Sequence, residues 1–111
     1  MNSERRDTPR IPVTLEVMFN PDNAGFRRGV TLNISLDGVL VDTGSARIAR
    51  RSRVELAIKI RTAGKMRIHR FHAQTVRAGP DGVGLAFDRV STEGYSALFD
   101  LVYAQQPHGG W

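Results

Sequence analysis

The sequence predicts an all-β domain closed by one helix, an antiparallel barrel or sandwich of about six short strands. Three observations predict it. Apolar residues recur at every second position in several separate segments. Compact Gly/Pro/Asn/Asp clusters punctuate those segments. After Ser91 the apolar period changes once, from two to the helical spacing.

The elements follow in order. Residues 1–11 are polar, carry a charge cluster with a proline from Glu4 to Pro9, and read as a flexible lead-in outside the core. From Val13 the period is two: Val13, Leu15, Val17 and Phe19 on one face, Thr14, Glu16, Met18 and Asn20 on the other. Asn20 to Gly25 form a turn. Phe26 to Ser35 resume the alternation. Val30, Leu32 and Ile34 are expected in the core, with Thr31, Asn33 and Ser35 on the outer face. Leu36-Asp37-Gly38 bends the chain into a short apolar strand, Val39 to Val41, and Asp42 to Ser45 turn it again. Val54, Leu56, Ile58 and Ile60 give the cleanest alternation, and Thr62-Ala63-Gly64-Lys65 closes a hairpin. Met66 to Ala78 is a long strand of weaker pattern. Gly79-Pro80-Asp81-Gly82 turns into Val83, Leu85 and Phe87. Tyr95, Leu98, Phe99, Val102 and Tyr103 then fall on one helical stripe, capped by Ser91 or Thr92 and ended by Pro107 and Gly109-Gly110. The expected organisation is residues 1–11 as lead-in, 12–106 as barrel plus helix, and 107–111 as tail.

Composition narrows the function. The 111 residues suit one domain with a single modest core. With no cysteine there is no disulfide, thiolate metal site or cysteine nucleophile. The polar N-terminus lacks a signal peptide's apolar run, and no stretch approaches the roughly 18 apolar residues that span a bilayer. A cytoplasmic protein is expected. The net charge is +5, and 14 of the 16 Lys and Arg residues are arginine. Arginine grips phosphate in a bidentate fork and stacks on flat rings. Codon bias can produce the same excess, so the position of each arginine decides its meaning.

Two clusters stand out. Arg5, Arg6 and Arg10 form a dense positive patch on the lead-in. Asn33 and Ser35, two apart on a strand, precede Gly38 at a bend. Together they have the groups to hold a guanine nucleotide: an amide for the base edge, a hydroxyl, a residue without a side chain, and arginines for phosphates and guanine faces. No acid–base or nucleophile constellation is present. Nothing around Asp37 and Asp42 in sequence supplies a nucleophile or a base, and Ser35 has no triad context. His69 and His72 fall on opposite faces of a strand and cannot share a metal. An enzyme is not expected. The run Arg47, Arg50, Arg51 and Arg53 reads as a solvated loop, with Arg50 or Arg51 as possible additions to a site.

Arg6-x-x-x-Arg10 followed by Asn33-x-Ser35-x-x-Gly38 resembles the paired signature of the PilZ domain family, and Gly82-Val83-Gly84-Leu85-Ala86-Phe87 resembles that family's late strand. The resemblance implies a six-stranded antiparallel β-barrel with a C-terminal amphipathic helix. It implies a receptor for cyclic di-GMP that signals to an effector protein, with Arg6, Arg10, Asn33, Ser35 and Gly38 at the ligand. Asn33 stands where many members carry Asp, which implies a weaker hold on the guanine N–H donors. Arg5, just before the first motif arginine, implies binding of the ligand as an intercalated pair. No other cofactor and no membrane insertion are expected. Two other readings are a basic, OB-like nucleic-acid-binding barrel and a PilZ-type adaptor that binds protein without ligand. The aromatics Phe19, Phe71, Phe87 and Phe99 sit at core-like positions and argue against the first. The intact motif argues against the second.

Overall fold

The computed structural model describes residues 9–44 and 46–104. Their strands are β1 (Ile11–Pro12), β2 (Glu16–Pro21), β3 (Arg27–Ile34), β4 (Gly38–Asp42), β5 (Arg53–Thr62), β6 (Lys65–Gly79) and β7 (Gly82–Val90), followed by helix α1 (Thr92–Ala104). All pairings are antiparallel. Six strands close in the order β3-β2-β5-β6-β7-β4, with β4 returning to β3, as expected for a barrel. Closure leaves no open sheet edge to cover. The two-residue β1 lies beside Asn33 and Ile34 on the edge of β3 that β2 follows further on. The predicted first strand is thus broken at residues 13–15. Ile11 is buried in the core, so the core starts inside the segment expected to lie outside it.

The barrel interior holds Val17, Phe19, Ile34, Val39, Val41, Val54, Leu56, Ile58, Ile60, Phe71, Val83 and Leu85. The β5–β6 hairpin turns on Ala63 and Gly64, both at positive φ (52° and 81°), the geometry a two-residue hairpin requires. Helix α1 begins where Ser91 Oγ accepts the Gly94 N–H at 3.0 Å, and Ser91 is its cap. The helix buries Gly94, Ala97, Leu98 and Val102 against the barrel. Tyr95, Phe99 and Tyr103, predicted for the same buried stripe, lie exposed as a row of mutually tilted rings with centroids 6.4 Å and 4.6 Å apart. The apolar stripe is wider than the face the barrel can cover. Pro107, Gly109 and Gly110, predicted to end the helix, lie outside the described residues.

Strand β3 departs most from its predicted pattern. Thr31 is fully buried, whereas Val30 and Leu32 are each 36% exposed. The cause is a β-bulge. The β3–β4 register shifts between Thr31 and Asn33, leaving Leu32 as the extra residue. Inward positions run through Thr31, skip two residues, and resume at Ile34. A side-chain hydroxyl can occupy this inward position because it bridges the adjacent break. Thr31 Oγ1 donates to the Val13 carbonyl at 2.5 Å and accepts the Leu15 N–H at 2.8 Å. Those backbone groups would otherwise lack partners at the gap between β1 and β2.

Candidate functional site

The β3–β4 turn builds the floor of a cleft. Ser35 Oγ accepts the N–H groups of Asp37 at 3.0 Å and Gly38 at 3.2 Å, folding the turn onto its own side chain. The Ser35 N–H donates to the Gly38 carbonyl at 2.9 Å, and the Phe87 N–H reaches across from β7 to the Asp37 carbonyl at 2.8 Å. Gly38 packs directly on β7: a Cβ there would overlap the Leu85 carbonyl oxygen. The glycine is required by backbone approach, and its own φ is not positive.

Around this turn lies an outer cleft of about 590 Å³, within the usual range for small-molecule sites. Pro9 and Arg10 border it from the N-terminal segment, Asn33 from β3, Leu40 from β4, Gly84 and Ala86 from β7, and Val76 and Arg77 from β6. Arg10, Asn33, Ser35 and Gly38, 28 residues apart in sequence at the extremes, therefore share one surface. Arg5 and Arg6 lie outside the described residues.

The side chains differ in how far they are available. Arg10 is exposed, and Asn33 is half-buried at the rim. Ser35 is only 4% exposed. It was expected to face outward beside Asn33, but the Leu32 bulge and the turn draw its hydroxyl into the backbone. Arg77 and Val76 are cleft residues that sequence spacing does not reveal, because only the pairing of β6 with β7 brings them there. Arg47, Arg50, Arg51 and Arg53 are exposed and do not line this cleft.

A second cleft, between the β2–β3 turn and the β6–β7 flank, mixes Asp22, Glu55 and Asp88 with Arg53 and Arg89. Its carboxylates outnumber its arginines three to two, which disfavours an anionic ligand there. Among the described residues, no group of three or more His, Asp or Glu side chains could hold a metal ion. The exposed aromatics of α1 include Phe99, 46% exposed rather than in the core as expected. That helix carries Glu93 and Asp100 and no basic residue in its last turn. Acidic neighbours disfavour a phosphate backbone stacked along those rings.

Residues 4–104 match the family model of the PilZ domain. The fold is similar to the Bacillus subtilis inhibitor of motility (MotI/DgrA), with a TM-score of 0.79 at 19% identity, covering 92% of this chain and 51% of that one. The chain thus spans about half the length of that protein. It is also similar to the PilZ domain of CeSA from a cellulose-synthesizing bacterium, with a TM-score of 0.66 at 21% identity, covering 86% of this chain and 96% of that one. No curated protein matches the sequence. Among the described residues, no helix is long and apolar enough to cross a membrane.

Proposed function

The chain belongs to the PilZ domain family, and we propose that it is a receptor for cyclic di-GMP that passes the signal to a protein partner without catalysing a reaction. The observation that carries this reading is the cleft itself. Arg10, Asn33 and the Ser35–Gly38 turn line one surface of ligand size. Pro9 and Arg10 border that surface, and Arg5 and Arg6 precede them in sequence.

Each group has a chemical role in this reading. Arg10 is exposed, and no hydrogen bond or ion pair within the described residues engages it, so its guanidinium is free to grip phosphate. Asn33 presents an amide donor and acceptor at the rim for a guanine edge. Ser35 acts chiefly by holding the turn. Gly38 and Gly84 keep the floor bare, so a flat base can approach the backbone. Arg6 and Arg5 close over the phosphates from the N-terminal side. Binding thereby fixes residues 1–10 against the barrel and changes the charged surface that a partner reads. Arg5 supplies the charge that a mutually intercalated pair of ligands demands.

Calorimetric titration tests this. Cyclic di-GMP is expected to give saturable binding, two ligands per chain, that weakens as salt rises. GMP and cyclic di-AMP are expected to bind much less. Arg10→Ala removes a charge-assisted contact of about 1.5–3 kcal/mol, or one to two decades in affinity, with the melting temperature of the free protein unchanged. Absence of heat and of any melting shift at low salt overturns the reading. A wild-type ratio of one ligand per chain overturns the pair alone.

A further inference from the structure

We infer that Arg77 forms the far wall of the cleft and contacts a phosphate of the bound cyclic dinucleotide, opposite Arg10. This rests on the reading of the cleft as a cyclic di-GMP site.

The strand registers place Arg77 there. Asn33 pairs with Leu40, Leu40 with Gly84, and Gly84 with Arg77. These four residues form one transverse row around the outside of the barrel, with Asn33 at one end and Arg77 at the other. Three strand-to-strand steps of about 4.8 Å separate the ends by about 14 Å of curved surface. Between them lie the half-buried Leu40 and the bare Gly84, a shallow floor without charge. The row is a saddle with an amide at one rim and a guanidinium at the other.

A bulge is what turns Arg77 outward. Along β6, Phe71, Ala73 and Thr75 point into the barrel. Continued alternation would point residue 77 inward as well. The register against β7 shifts between Thr75 and Arg77, however, and leaves Val76 as the extra residue. Val76 is 65% exposed and Arg77 is exposed beside it. Bulges often re-aim a side chain beside a site.

Gly84 completes the arrangement. A Cβ there would make ordinary contact, 3.6 Å from the Arg77 Cβ and 3.8 Å from the Val76 Cγ2, so the bare Gly84 leaves the floor beside Arg77 open. Within the described residues no hydrogen bond or ion pair engages the Arg77 guanidinium; the ion pairs there are Lys59–Glu16 and Arg70–Glu55. A cyclic dinucleotide carries its two phosphates on opposite sides of its ring. Arg10 and Arg77, on opposite borders of one cleft, match that disposition of charge.

The test is titration of cyclic di-GMP into the wild type, Arg77→Ala, Arg77→Gln, Arg77→Lys and Arg89→Ala. Arg89 is an exposed arginine of the second cleft and controls for net charge. Both Arg77→Ala and Arg77→Gln are expected to weaken binding at least tenfold and to flatten its salt dependence. Arg77→Lys restores part of the loss, Arg89→Ala stays within about twofold of the wild type, and free proteins melt alike. Binding by Arg77→Ala and Arg77→Gln within about twofold of the wild type overturns the inference and leaves the receptor reading standing. A wild type that does not bind overturns both.

Discussion

β5 and β3 are strands of one closed antiparallel ring, yet only β5 keeps strict alternation. β5 buries Val54, Leu56, Ile58 and Ile60 at every second position and exposes Arg53, Lys59 and Arg61 between them. β3 buries Thr31 and Ile34, three residues apart, and turns Val30 and Leu32 toward solvent. β5 serves only as wall, so nothing competes with the pleat. β3 borders the cleft, together with the bulge at Val76 and the close approach of Gly38 to β7. The bulges at Leu32 and Val76 flank the cleft residues Asn33 and Arg77, a further register shift between His72 and Ala73 lies beside the second cleft, and strict pleating is kept along β5.

The comparison is sharpest at two residues that alternation alone treats as equivalent. Leu56→Ala is expected to cost about 2–5 kcal/mol, through lost burial and a residual cavity. Val30→Ala is expected to cost about 1 kcal/mol or less, since only strand preference is lost at an exposed position. Denaturant midpoints measure both. Equal losses would mean that Val30 is a core residue and that the bulge is misplaced.

Gly38→Ala comes next, at about 1–3 kcal/mol, because the added methyl must push β4 from the Leu85 carbonyl. A glycine kept only for ligand access would tolerate alanine with full stability and lose affinity alone. Thermal melts with and without cyclic di-GMP separate the two outcomes.

Effects smaller than that at Gly38 come from two buried threonines. Thr31 makes two hydrogen bonds across the strand break, whereas the buried Thr75 hydroxyl has no partner within the described residues. Thr31→Val should destabilise by about 1–2 kcal/mol, leaving the Leu15 N–H unpaired. Thr75→Val should be neutral or stabilise by about 1 kcal/mol, because an isosteric methyl replaces an unsatisfied polar group. Matching signs in chemical denaturation would contradict the bulge geometry at one of the two sites.

The legibility of the sequence divides along the same line. The turns, the β5–β6 hairpin, the strands around Leu56 and Leu85, and the Ser91 cap are set by local chemistry and could be read directly. The register shifts at Leu32, Val76 and Asp88 could not, because a bulge is decided by the strand opposite. Alternation therefore misassigned Val30, Leu32 and Thr31. On α1, spacing identified the helix but could not say how wide a stripe the barrel covers, so Tyr95, Phe99 and Tyr103 were placed inside. The cleft was legible at Arg10, Asn33, Ser35 and Gly38 through their resemblance to a paired motif. Arg77 carries no motif, and only the β6–β7 register brings it to Gly84.

The most direct measurement is an amide correlation spectrum of the isotope-labelled protein titrated with cyclic di-GMP. The account predicts saturable shifts at Arg10, Asn33 to Val39, Arg77 and Gly84 to Ala86, with the amides of Val54 to Ile60 unmoved. Shifts centred on β5 or on the second cleft, or no shifts at saturating ligand, would contradict it.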